Sequence, residues 1–291
     1  MRNIVHILMA MVFQNKAIYL VLFAANCKPD LNSPYEFGTS EFYKNQSFVC
    51  LVSPLSFCNS NRNGTNGIVD FNAIPGRRLW LRAEGLSFVD SSPVTSWVDL
   101  SGNGNDLTPG TAPIFISTTN PINGKPVVRF QFGLGSNLIK SAPVGVNASD
   151  SGSLFFVARL PLVVNSNVLT IGPIGGGGRE FQITSAGVIA VNRSGITTVA
   201  TYNSGWVANT VHQISILQNG VNNVVIKFDG IQMVSVTPGS TGYTAGNLSL
   251  GAGGAEMDLA ELLYFDNRVS DENTVTIECY LGNRYGTFSC P

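Results

Sequence analysis

The chain has 291 residues, of which only 12% are charged, and 17 basic residues stand against 18 acidic ones for a net charge of −1. Nucleic-acid binding depends on neutralising phosphates, and this balance supplies no net positive field, so a nucleic-acid partner is excluded. The 31 glycines, with recurring Asn, Ser, Thr and Val, point to β-strands joined by tight turns, in one large β domain or two smaller ones.

The N-terminus reads MRNIVHILMAMVFQNKAIYLVLFAANC. Arg2 and Lys16 precede the apolar run AIYLVLFAA, which has signal-peptide length and falls short of the roughly 20 apolar residues that span a bilayer. Residues 1–26 are therefore expected to be an export signal, and a start at Met11 would give it a compact basic segment. The stretch Ala24-Ala25-Asn26-Cys27 resembles the lipobox of bacterial lipoproteins. That resemblance implies a diacylated Cys27 as the first mature residue, anchored in a membrane of the cell envelope, at the outer membrane or cell surface. Asn26 departs from the usual Gly or Ala, and the alternative is an ordinary signal with Cys27 as a structural thiol.

Five cysteines in an exported chain leave an odd one, and a lipidated Cys27 leaves Cys50, Cys58, Cys279 and Cys290 for disulfides. Short separation favours Cys50 with Cys58 and Cys279 with Cys290 among the three pairings that four cysteines allow. The histidines are His6 and His212, and no cysteine has a histidine at metal-ligand spacing, so zinc is not expected. Residues 27–75 are polar, rich in Asn and Ser and without periodicity, as expected of a tether carrying a small cysteine loop.

From residue 76 onward the character changes. LWLRAEGL, PVVRFQF, SLFFVARL, EFQITSAGVIAVN, HQISILQNG, NNVVIKFDGIQMVSV and NLSLGAG are short runs dense in β-branched and aromatic residues, separated by Gly, Asn, Pro and Asp. Asp229-Gly230 suits a two-residue hairpin turn in which both positions take positive φ. Antiparallel hairpins without intervening amphipathic helices predict an all-β antiparallel sandwich. One short C-terminal helix is expected, capped by Ser270, with Asp271 and Glu272 in its first turn and Gly286 closing it.

Three blocks, LWLRAEGL with SWVDLSGNGNDLT, NGKPVVRFQF, and AELLYFDNRVSDENTVTIECYLGNRYG, resemble the bacterial laminin-G-like domains of the concanavalin A-like lectin/glucanase superfamily. The resemblance runs from Arg77 to Gly286 within an expected domain of residues 76–291. It implies a jelly roll of two antiparallel sheets whose concave face or rim loops bind glycans or proteins, without catalysis.

Candidate sites follow. EMDLAE fits E-x-D-x-x-E, the motif that carries the carboxylates of some β-sandwich glycoside hydrolases, so Glu256, Asp258 and Glu261 are an alternative catalytic set. On a regular strand Glu256 and Asp258 share one face and Glu261 points to the other, unless a β-bulge realigns them. Asp99, Asn103 and Asp106 offer oxygen ligands that calcium prefers, in letters that also make an Asx-turn loop needing no ion. Calcium is the one cofactor these residues admit. Gly175 to Gly178 lacks the Lys-Ser/Thr and helix of a phosphate loop, so no nucleotide is expected. Tyr202, Trp206 and Tyr243 lie in Gly/Ser/Thr-rich loops and are the candidates for stacking on sugar rings, whereas Trp80 and Trp97 are expected in the core. His212 lacks a nucleophile elbow, which argues against a serine triad. The expected function is binding of a carbohydrate or an extracellular or envelope protein at the cell surface. A glycoside hydrolase and a structural envelope protein are the alternatives.

Overall fold

A computed structural model describes residues 69–146, 150–238 and 242–290. The signal, Cys27, Cys50 and Cys58 lie outside the described residues, as does the tether up to residue 68. One compact unit runs from Val69 to Ser289. In chain order it contains β1 (Arg77–Arg82), β2 (Thr108–Thr111), β3 (Ile114–Ile116), β4 (Val127–Phe130), β5 (Asn137–Lys140), β6 (Gly152–Arg159), β7 (Ser166–Ile171) and β8 (Arg179–Ile183). There follow β9 (Val188–Arg193), β10 (Thr197–Asn203), β11 (Val211–Asn219), β12 (Asn223–Phe228), β13 (Ile231–Val236), β14 (Leu248–Leu250), β15 (Met257–Phe265) and one α-helix, α1 (Asp271–Tyr285).

The strands form two antiparallel sheets. One is eight-stranded, in the order β13-β12-β11-β6-β15-β4-β3, with β1 also on β15; the other is seven-stranded, in the order β10-β9-β8-β7-β14-β5-β2. The hydrophobic runs put alternate side chains between them: Leu79 and Leu81 of β1, Phe181 and Ile183 of β8, and Leu248 and Leu250 of β14 all join one buried cluster. This is the expected sandwich. A second cluster lies on the far side of the eight-stranded sheet, where Ile277, Leu281 and Tyr285 of α1 cover Phe155, Val157, Leu263 and Phe265. Burial on both faces explains why β6 and β15 have no exposed residue.

The helix forms where its caps predict. The Ser270 hydroxyl accepts from Asn273 N–H at 3.3 Å, and Gly286 ends the helix in the left-handed region at φ 70°. The β12–β13 hairpin turns on Asp229 and Gly230, at φ 48° and 76°. Phe71 and Ile74, from the stretch read as tether, are buried, with Phe71 edge-on to Trp80 and Tyr280 at 4.9 Å. Cys279 and Cys290 form a disulfide, the pairing that short separation favours. Among the described residues no helix is long and apolar enough to cross a membrane.

Candidate functional site

The pairing of β15 with β6 skips one residue between Leu259 and Glu261. This bulge at Ala260 turns Asp258 and Glu261 to the same face of the sheet, the realignment a regular strand forbids. The expected hydrolase cleft is nevertheless not built there. Asp258 and Glu261 are both 0% exposed, and a glycosidase carboxyl must reach the scissile bond. Asp258 is clamped by Arg129, whose Nε lies 2.6 Å away, and by Arg159, whose NH2 lies 2.5 Å away. Glu261 accepts from Trp80 Nε1 at 2.6 Å, Tyr280 Oη at 3.1 Å and Tyr285 Oη at 2.8 Å, beneath α1. Burial pushes its carboxyl above the ordinary range, against the donors from Trp80 and Tyr285. Glu256 accepts from Phe132 N–H at 3.0 Å and pins a loop. The three carboxylates fasten the helix and loops to the sheet.

Of the three aromatic residues expected to stack on sugar rings, Trp206 and Tyr243 are turned inward. Trp206 and Tyr243 are buried in the main core at 4% and 7% exposure. Trp206 donates from Nε1 to Thr210 O at 3.2 Å, and the Tyr243 ring lies under the Arg179 guanidinium at 4.8 Å. Tyr202 is half-buried with its ring 6.1 Å from that of Phe228. The loops that carry Trp206 and Tyr243 fold over the open ends of the interior, where large apolar rings stop the gaps.

The Asp99 loop does not fit calcium. Asp99 Oδ1 accepts from Trp80 N–H at 3.0 Å and Ser101 N–H at 2.9 Å, while Oδ2 accepts from Ser101 Oγ at 2.6 Å and Asn105 N–H at 3.0 Å. Asp106 accepts from Asp99 N–H at 2.8 Å, and Asn103 donates its amide to Arg77 O at 2.9 Å. With the Asp99 carboxylate accepting from four donors, the loop is an Asx-type staple on β1.

His212 sits between a near neighbour in sequence, Thr210, and Asp229 of the β12–β13 turn. Its Nδ1 sits 2.7 Å from Asp229 Oδ2 and its Nε2 sits 2.8 Å from Thr210 Oγ1. The order Thr-His-Asp resembles a catalytic relay, but Thr210 Oγ1 also donates to Val207 O at 2.6 Å, and the N–H groups of Asn209 and Thr210 are committed to Leu160 O and Val207 O. Neither N–H is left to stabilise an oxyanion at the hydroxyl.

A further candidate set, not marked by the sequence, lies on the seven-stranded sheet. Pairing across β14, β7, β8, β9 and β10 lines up Ser249, Thr170, Glu180, Asn192 and Thr198 in one row. Their chain neighbours Leu248, Ile171, Phe181, Val191 and Val199 point into the core, so the row faces outward. A second row sets Asn167 beside Gln182. Gln182 Nε2 donates to Asn167 Oδ1 at 2.9 Å, and Asn192 Nδ2 donates to Gln182 Oε1 at 3.4 Å. Glu180 is 7% exposed, and burial pushes its carboxyl up, against donors from Asn192 and Ser194. Thr170 Oγ1 is buried without a hydrogen-bond partner. Beside Glu180 a hollow of about 280 Å³ opens, with Asn192, Arg193, Thr197 and Thr198 around it. Thr170 and Ser249 are buried, so the accessible part of this face is its end on β8, β9 and β10, where the amides of Gln182 and Asn192 and the hydroxyls of Thr197 and Thr198 stand beside the Glu180 carboxylate and can hydrogen-bond a polyhydroxylated ligand.

No protein-family signature matches the chain, and no curated protein matches it. Solved structures do. The binding domain of botulinum neurotoxin DC in complex with SialylT is similar at a TM-score of 0.52 and 15% identity, over 70% of this chain and 50% of that one. The same domain in complex with rat synaptotagmin II gives 0.52 at 14% identity over 71% and 52%. A botulinum neurotoxin type C structure, where uptake into cells is dependent upon interaction with two ganglioside molecules, gives 0.51 at 14% over 71% and 50%. This chain spans about half the length of those structures. At such low identity the likeness is one of fold, a β-sandwich of jelly-roll type.

Proposed function

We propose that this chain is an exported, lipid-anchored binding module of the laminin-G-like kind that holds a saccharide on the outer face of its seven-stranded sheet. The observation that carries the reading is the accessible end of the row, where Glu180, Asn192 and Thr198 stand in register across adjacent strands beside Thr197. A sugar ring offers hydroxyl donors and acceptors at comparable spacing, and such a face discriminates by leaving polar groups unpaired when the hydroxyls are wrong. The fold is shared with neurotoxin binding domains that have been determined with SialylT and with synaptotagmin II, which supports a binding role. The carboxylates of the hydrolase motif are consumed by structure, which favours binding over turnover.

A glycan array probed with the mature chain tests the reading. Binding to a saccharide class is expected, and replacing Asn192 and Gln182 by alanine should weaken it about tenfold or more, as expected for losing one or two hydrogen bonds. An array that stays blank while a protein ligand is captured would favour the protein-binding alternative.

The envelope location rests on the lipobox-like Ala24-Ala25-Asn26-Cys27. Labelled palmitate should enter the wild-type chain and be absent from a Cys27→Ser variant. Label that survives the substitution would remove the anchor from the account.

A further inference from the structure

The environment of Glu180 narrows the ligand. Its carboxylate is 7% exposed, yet it takes part in none of the ion pairs among the described residues. The side chains of Asn192 and Ser194 are its hydrogen-bonding partners, and both are neutral. The other buried carboxylates are answered more fully: Asp258 has Arg129 and Arg159, Glu261 has Arg284 at 3.4 Å, Glu278 of α1 has Lys227, and Asp99, without an ion pair, accepts from four donors, three of them backbone N–H groups. A buried charge left unpaired is costly, and proteins retain one mainly where a ligand completes it. Here the carboxylate borders a hollow open to solvent, with the Thr197 and Thr198 hydroxyls and the Asn192 amide beside it. Arg193 shares the hollow without pairing with Glu180, and its Nε has no partner.

We infer that the hollow takes a sugar bearing a protonated primary amine, with the ammonium on Glu180 and the ring hydroxyls on Asn192, Thr197 and Thr198. This rests on the saccharide-binding reading above and names its ligand class. Ammonium and carboxylate would form a charge-assisted hydrogen bond, stronger than one between neutral groups. The thermodynamic logic is that the ligand brings the cation that the fold withholds.

The test is a calorimetric titration of the full chain, at near-neutral pH so that the Glu180 carboxyl, raised by burial, stays ionised, with three tetrasaccharides of the same linkage: glucosamine, N-acetylglucosamine and glucose. The glucosamine oligomer is expected to bind about 10- to 100-fold more tightly than the other two, the range of one charged hydrogen bond. Glu180→Gln is expected to erase that preference while leaving the circular dichroism unchanged. Equal affinity for the three oligomers overturns the amine assignment and keeps the saccharide face. A preference that survives in Glu180→Gln also overturns it, since general attraction to the chain would then explain the amine. Binding of none of the three overturns the amine assignment, and a blank glycan array beside it overturns the saccharide reading too. If Glu180→Gln fails to fold, the comparison of the acetylated with the free amine on the wild-type chain still decides.

Discussion

Replacing Glu261 with alanine should lower the unfolding free energy by about 3–5 kcal/mol, the cost of breaking a buried charged network by removing one partner. The substitution strands Trp80 Nε1, Tyr280 Oη and Tyr285 Oη, all of which donate to this one carboxyl. Arg284 keeps a second partner in Glu84, so the loss falls on the three neutral donors and on the seating of α1. Glu261→Gln retains an acceptor and should cost at most about 1 kcal/mol. The pH dependence separates the two variants further. Burial raises the Glu261 pKa in the folded state, so its contribution is fully present below the unfolded carboxylate value and is lost as pH rises through the folded value. Urea denaturation should therefore show wild type gaining on Glu261→Gln as pH falls from neutral toward the carboxylate range. A gap that is constant with pH would contradict this.

Asp258→Ala is expected to cost a similar amount, about 3–5 kcal/mol, for a different reason. Arg159 has a side chain only 6% exposed and would be left as a buried cation, whereas Arg129 is 26% exposed and can turn to water. The remaining partner of Arg159 is Asn120, through its side-chain and backbone oxygens at 2.8 and 2.5 Å, and neither carries a charge. Removing both members of the buried pair, as Arg159→Met with Asp258→Leu, should recover most of the loss, because hydrophobic residues of similar volume often replace a buried ion pair at little cost. Guanidinium denaturation of the single and double variants measures this. A double variant as unstable as Asp258→Ala would mean that the pair does more than satisfy itself.

The fold was largely legible in the sequence where period-two burial was clean. In β1, RRLWLR alternates buried and half-buried residues along its whole length, and in β8 the order Glu180, Phe181, Gln182, Ile183 alternates outward polar with inward apolar side chains. Edge strands were not legible. β2 reads TPGT and is almost wholly exposed, and β10 reads TTVATYN with a register shift between Thr198 and Ala200. A strand at a sheet edge needs no apolar alternation, because little packs on it. The bulge at Ala260 was equally hidden: β15 is buried on both faces, so MDLAELLYF carries no alternation from which a slip could be read.

The candidate site was legible only in its parts. Glu180, Asn192 and Thr198 each sit at an outward position of a strand, but what gathers them is the register between strands, which a single sequence does not state. The aromatic residues misdirected the reading for a physical reason. Gly- and Ser-rich surroundings mark Trp206 and Tyr243 as loop residues, yet those loops close the ends of the interior and carry the rings inward. The carboxylates of EMDLAE misdirected it likewise, since the Trp80, Tyr280 and Arg284 that engage Glu261 come from β1 and α1. For Asp99, Asn103 and Asp106 the letters left calcium and an Asx loop both open, because what separates them is which donors the Asp99 oxygens meet, and those include Trp80 N–H from β1.

The central claim is that the outer face of the seven-stranded sheet, not the loops or the helix-covered sheet, meets the ligand. Nitrogen-15 correlation spectra of the chain titrated with the saccharide that the array selects test it most directly. The account predicts shifts confined to β7, β8, β9 and β10, centred on Glu180, Asn192 and Thr198. Shifts centred instead on the Asp99 loop, the Trp206 loop or α1 would contradict it.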